Sequence, residues 1–184
     1  MRTLKLTKDS QKNILESLLK RSPNNYTEYE STVNEIINNV KENRDKAVFE
    51  YTKKFDKADV DASNIRVTEE EIKEAYELVD EKLLAVIKKA LVNIRKYHEK
   101  QLQNSWFTTE DGIILGQKVT PIAKAGVYVP GGKAVYPSSV IMNTVPAQAA
   151  GVESLAIATP PSKGDPDGLP NKTILATCAI LGVE

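Results

Sequence analysis

The sequence predicts an α/β protein in which a helical amino-terminal region with a β-hairpin leads into a parallel sheet with helical crossovers, and three observations carry that prediction. Up to about Gln103 apolar residues recur at three- and four-residue spacing among charges, the period of a helix packed along one side. At Glu110-Asp111-Gly112 an Asp-Gly pair, a strong hairpin signal, separates two β-rich runs. From Gly126 onward apolar runs alternate with helix patterns, and such alternation means parallel strands joined by helices.

In chain order, Thr27 with Glu30 offers a capping box, after which Val33, Ile36, Ile37 and Val40 form one helical stripe. Asp45 can cap a helix carrying Val48, Tyr51 and Phe55, and Ile65 to Val67 reads as a short extended piece. A second capping box, Thr68 with Glu71, precedes Ile72, Ala75 and Val79. A long helix then carries Leu83, Leu84, Ile87, Ala90, Leu91, Ile94, Tyr97 and Leu102. The hairpin pairs Trp106-Phe107-Thr108-Thr109 with Ile113 to Val119 and feeds a strand at Gly126 to Val129. Ser139 to Ala150 reads as a helix, Leu155 to Thr159 as the second parallel strand, and Lys172 to Leu181 as a helix closed by Gly182. Between the last two, residues 160–170 hold too many Pro and Gly to be anything but a loop.

The expected architecture is therefore a helix-rich region with a hairpin over 1–127, part of a first domain. Residues 128–184 are expected as the first βαβα portion of a Rossmann-like second domain. Val183-Glu184 looks like the start of a third strand. A parallel sheet normally has several strands and both faces covered, so an incomplete sheet, truncated after Glu184, is expected.

Lys+Arg and Asp+Glu balance at 25 each, so no global field draws in nucleic acid or an anionic lipid surface. Cys178 is the sole cysteine, which excludes an internal disulfide and suits a reducing cytoplasm; its plain role is a small apolar residue on a buried helix face. Met1 to Lys8 lacks the apolar core of a secretory signal, and no run approaches the roughly 20 apolar residues of a membrane span. A soluble, cytoplasmic protein is expected.

The stretch Val127-Tyr128-Val129-Pro130-Gly131-Gly132 is where chemistry is first sought. A strand that breaks at Pro and two Gly before a helix presents bare backbone to a nucleotide or another anion. Ser138 or Ser139, as helix N-cap, adds a hydroxyl, and Lys133 a charge. Two adjacent glycines are not the Gly-x-Gly-x-x-Gly fingerprint, and a simple turn is the alternative. A dinucleotide fold places an acid at the end of its second strand to hold the ribose. Here that strand ends at Thr159-Pro160-Pro161, with no acid before Asp165, so ordinary Rossmann recognition of NAD is disfavoured and a variant mode stays open.

His98, the single histidine, lacks partners at ligand spacing and reads as a surface or helix-packing residue. Ser138 and Ser139 have no base or nucleophile elbow nearby in sequence, and Glu69-Glu70-Glu71 reads as a solvated helix start.

The order of residues resembles histidinol dehydrogenase. The resemblance rests on Val127 to Gly132, on Tyr136-Pro137-Ser138-Ser139-Val140, and on Met142-Asn143-Thr144-Val145-Pro146-Ala147. It continues backward through Tyr51 to Asp56, Val67 to Ile72, and Asn93 to Gln101, covering nearly the whole chain. It implies an NAD-dependent, zinc-requiring oxidoreductase that converts L-histidinol through L-histidinal to L-histidine with two NAD. It also implies a homodimer whose zinc ligands and Glu-His acid/base pair lie beyond Glu184. The cofactor-binding positions it implies are Tyr128, Pro130, Gly131 and Gly132, with Pro160, Pro161 and Phe55 nearby and Ser138 added from the helix start. Tyr128 and Phe55 each keep a plain alternative, as packing aromatics. No residue of this chain matches a catalytic or metal position of the family, so the isolated chain is expected to be an inactive amino-terminal portion. The alternative from another class is a non-catalytic α/β binding or assembly module that keeps the Gly-Gly turn as scaffold.

Overall fold

The computed structural model describes residues 7–8, 27–131, 134–165 and 168–183. These fall into two compact units, residues 1–48 and 49–184.

In the first unit, α1 (Thr27–Asn43) is closed by Arg44, whose amide donates to Val40 O at 2.9 Å and whose φ of +52° turns the chain. The amides of Ala47 and Val48 then donate to Arg44 O and begin α2 (Asp45–Phe55), which runs across the division. Asp45 is thus the first residue of the helix, where its charge meets the positive end of the dipole, rather than the residue before it. Of the α1 stripe, Ile36 and Val40 are half-buried while Val33 and Ile37 stay exposed.

The second unit continues through α3 (Glu69–Glu77), α4 (Glu81–His98), a short 3-10 turn (Glu99–Gln101), β1 (Trp106–Glu110) and β2 (Ile113–Gln117). It ends with β3 (Lys124–Tyr128), α5 (Pro137–Ala149), β4 (Ser154–Ala158) and α6 (Lys172–Leu181). The fold is α/β, as expected. No strand forms at Ile65 to Val67: Asp61 instead accepts from the Ser63 amide and hydroxyl at 2.7 and 2.6 Å, and this local turn outcompetes extension.

The Thr68–Glu71 capping box forms in full. Thr68 Oγ1 accepts from the Glu71 amide while the Glu71 carboxylate takes the Thr68 amide at 2.7 Å. Asp80 caps α4 one way only, its Oδ1 accepting from the Lys82 and Leu83 amides.

Two sheets of two strands each are present among the described residues. β1 and β2 pair antiparallel, Glu110 opposite Ile113, leaving Asp111-Gly112 as the two-residue turn; only Gly112, the second central residue, has a positive φ, +77°, the position at which a type II turn calls for glycine. β3 and β4 pair parallel, with Gly126 opposite Ala156 and Tyr128 opposite Ala158. The right-handed helix α5 bridges them, the usual answer to the need for a long crossover between parallel strands.

The core lies on one face of β3–β4. Val129, Val140, Ile141, Val145, Ile174, Cys178 and Leu181 are buried there with Ile87 of α4, and Val127 and Ile157 of the strands pack against them. A smaller cluster joins Val79, Leu84 and Ala176, seating α3 and α4 on α6. Buried this way, each large aliphatic side chain contributes about 1.5–3 kcal/mol. One polar relay crosses the helices: Arg95 Nη2 donates to Gln148 Oε1 at 2.8 Å, and Gln148 Nε2 donates to Leu181 O at 2.8 Å, satisfying a carbonyl at the end of α6. Gly182 then terminates α6 in the left-handed region, φ +63°.

Candidate functional site at the carboxyl ends of the parallel strands

In a parallel sheet the space beyond the carboxyl ends of the strands is where the chain must loop over to its helices, leaving a crevice. Here that space is a cleft of about 220 Å³ lined by Gly131 and Ala134 after β3, by Thr159, Pro160, Pro161, Ser162 and Lys163 after β4, and by Asn171 at the head of α6. Val129 extends the ladder one step past β3, its amide donating to Ala158 O at 2.9 Å, so both strand exits are held in register at the cleft.

Gly131 is needed there for space. A Cβ added at this position would lie 3.0 Å from Pro160 Cγ and 3.3 Å from Pro160 Cδ, so the two exits approach as closely as they do because residue 131 has no side chain.

The β4 exit continues into a closed loop. The Ser162 amide donates to Leu169 O at 2.8 Å, and Asp165 Oδ1 accepts from the Leu169 amide at 3.0 Å. Gly168, at φ +74°, has space for no more than a close contact with Val60, 3.3 Å from an added Cβ. Asp165 therefore serves the loop rather than a ribose. Beneath it Asn171 caps α6 by accepting from the Thr173 amide at 2.9 Å.

The cleft brings together three of the residues singled out from sequence, Gly131, Pro160 and Pro161. Pro130 precedes it and is exposed. Gly132 lies outside the described residues. Tyr128 is 67% exposed and belongs to the other face of the sheet, with Lys124 and Gly126, because alternate strand residues point opposite ways. Ser138 is exposed in the first turn of α5 but is not its N-cap: that position is Tyr136, with Pro137 opening the helix and no side chain capping it. Proline's fixed φ and missing N–H suit it to that opening position and displace the serines inward. Phe55 closes α2 with its ring stacked on Tyr51 at 5.7 Å and Lys54 Nζ 5.3 Å from its centre; it does not line the cleft.

Thr159, Ser162, Lys163 and Asn171 were not singled out from sequence. Asn171 had a legible signal, an Asn just before an apolar-periodic run. Thr159 is simply the residue after β4, whereas Ser162 and Lys163 depend on how the Pro-rich loop folds back.

The remaining chemically capable residues do not line the cleft. His98 Nδ1 is hydrogen-bonded to Gln101 Oε1 at 2.6 Å, and Tyr97 meets the ring edge-on, while Nε2 is buried with no hydrogen-bond partner among the described residues. Cys178 is buried in the core, and burial pushes its thiol up to about 11 from 9.0. Among the described residues no three His, Cys, Asp or Glu side chains come together in a way that could hold a metal ion, and no helix is long and apolar enough to cross a membrane.

Comparison with known proteins gives a consistent picture. The family model described as histidinol dehydrogenase matches residues 19–184. The chain is 52% identical over 168 residues to a histidinol dehydrogenase of Bacillus subtilis (strain 168), covering 90% of this chain and 38% of that protein. Against the histidinol dehydrogenase of Aquifex aeolicus (strain VF5) it is 47% identical over 170 residues, with coverages of 92% and 38%. The crystal structure of histidinol dehydrogenase from Elizabethkingia anophelis superposes with a TM-score of 0.75 at 36% identity, over 84% of this chain and 35% of that one. The chain thus spans about 38% of the length of these curated relatives. On the extent of the family match, and on a fold shared with a solved member, the chain belongs to the histidinol dehydrogenase family.

Proposed function

We propose that this chain forms the helical region and first βαβα portion of a cytoplasmic, homodimeric enzyme that oxidises L-histidinol through L-histidinal to L-histidine with two NAD, a step of histidine biosynthesis. The observation that carries the reading is the approach of Gly131 to Pro160 at the mouth between two adjoining parallel strands, within a segment matched by the family. Residues 128–184 serve as the first part of the NAD-binding domain, and 1–127 as the helix-rich part of the domain before it.

The residues present fit a portion of NAD. The cleft is smaller than the roughly 300 Å³ at which small-molecule pockets begin, so it takes one part of a dinucleotide, and the ends of the molecule rest elsewhere. Gly131 keeps the backbone open, Pro160 and Pro161 form a rigid apolar wall, and Thr159 and Ser162 bring hydroxyls to the same wall. Tyr128 is exposed on the open face of the sheet, away from the cleft, where its ring is free to lie along a flat group at another part of the ligand, and Pro130 is exposed between the two. When bound, NAD would supply the hydride acceptor for oxidation of the alcohol carbon, and this chain's part would be to bind and orient it.

The described residues do not fit a zinc site; in the enzyme we propose, zinc ligands and the Glu-His pair that moves protons are supplied by other residues than these. The 184-residue chain by itself is accordingly inactive. The test is a chimera of the Bacillus subtilis relative in which the matched segment is replaced by this chain, assayed for histidinol-dependent NAD reduction beside the isolated chain. Turnover by the chimera alone is expected. A folded but inert chimera, or turnover by the isolated chain, would overturn the reading.

A further inference from the structure

The cleft holds one charge that the fold does not use. Among its described lining residues Lys163 is the only charged side chain, and it makes no hydrogen bond or ion pair with any described residue. The loop that carries it is fixed by its own bonds, Ser162 N to Leu169 O at 2.8 Å and Asp165 N to Ser162 O at 3.1 Å, so the cation is presented from a held backbone. Around it the described lining residues supply the hydroxyls of Thr159 and Ser162 and the side chain of Asn171, and none of these described residues carries a carboxylate. A site with a cation, two hydroxyls and no acid selects an anion.

The reading of the second strand points the same way. Where a dinucleotide fold places an acid for the ribose hydroxyls, this chain has Thr159, and the nearby Asp165 is occupied by the Leu169 amide. An acid at the strand end would repel phosphate; its replacement by a hydroxyl, with Lys163 four residues on, removes that repulsion.

We infer that the cleft seats a phosphate group of the nucleotide, with Lys163 as its counter-ion. This inference rests on the nucleotide reading above and adds to it a residue and a ligand group. The pocket volume of about 220 Å³ suits a phosphate or pyrophosphate with part of a ribose.

The test is calorimetric titration of the 184-residue chain with inorganic pyrophosphate, ADP-ribose, adenosine 2′-monophosphate and adenosine. Pyrophosphate and ADP-ribose binding identifies the bridging phosphates as the source; a preference for the 2′-monophosphate identifies a ribose phosphate. In either case Lys163→Gln is expected to weaken the phosphate-bearing probe about tenfold, as loss of a charge-assisted hydrogen bond does. Lys163→Arg retains most of the affinity. Lys124→Gln, at the opposite end of β3, removes the same charge and leaves affinity within about twofold, separating a local contact from a general field effect. Equal losses from Lys163→Gln and Lys124→Gln, adenosine binding as well as ADP-ribose, or no phosphate probe binding at all would overturn the inference. Because the chimera assay reads turnover, an active chimera with no phosphate binding by the chain would remove Lys163 from the site and leave the functional reading intact.

Discussion

The hairpin β1–β2 and the parallel pair β3–β4 are each two strands of five residues, and they differ in what covers them. In the hairpin every residue is exposed on both faces, including Trp106, Phe107, Ile113, Ile114 and Leu115 at 51–72%. In the parallel pair one face is closed by α5, α4 and α6 through Val127, Val129 and Ile157, while the other carries Lys124, Gly126, Tyr128, Ser154, Ala156 and Ala158 exposed. Strand pairing is therefore a local matter of turn chemistry and backbone bonds, whereas stability follows cover. The hairpin has its register from Asp111-Gly112 and no share in the core.

The sharpest way to break that comparison is truncation on each side of it. Ile174→Ala removes a side chain 2% exposed at the centre of the covered face and is expected to lower unfolding free energy by about 2–4 kcal/mol, read as a shifted urea midpoint. A shift no larger than that of a surface substitution would mean that the three helices do not close on the sheet as described.

The next effect sharpens how dry the covered face is. Cys178 has its thiol raised to about 11 by burial, so the folded state holds the proton more tightly than the unfolded chain. The stability it contributes is complete below pH 9 and is lost as pH rises from 9 toward 11, by on the order of 2 kcal/mol in all. Denaturation of wild type and Cys178→Ala across pH 8 to 11 isolates this term: the gap between them narrows as pH rises. A constant gap would show a thiol in contact with water.

The smallest effect lies on the hairpin. Ile114→Ser, at a residue 72% exposed, is expected to change stability by no more than about 0.5 kcal/mol. A loss of 2 kcal/mol or more would show that the hairpin is covered in solution, and the contrast between the two sheets would fall.

Most of the fold was legible because its signals are local. The Thr68–Glu71 box, the Asp-Gly turn, the bounds of α6 and its terminating Gly182 each depend on residues within one turn of each other. Misreadings arose where two local chemistries compete. Asp61 turned the chain where the β-branched residues at 65 and 67 favoured extension, and Pro137 took the helix opening that Ser138 and Ser139 could have capped. The site was half legible. Gly131, Pro160 and Pro161 announced themselves by residue type, whereas Lys163 and Ser162 line the same cleft only because an Asp165-bonded loop folds back over the strand end.

By itself, then, the sequence determined the succession of helices and strands, their caps and turns, and the family likeness, because periodicity, capping and turn preference act over a few residues. Only the tertiary structure decided which strand face is covered, that Tyr128 lies away from the cleft, and that Gly131 is there for closeness to Pro160. Those outcomes depend on side chains far apart in the chain meeting in a close-packed interior, and no short window of sequence contains both partners.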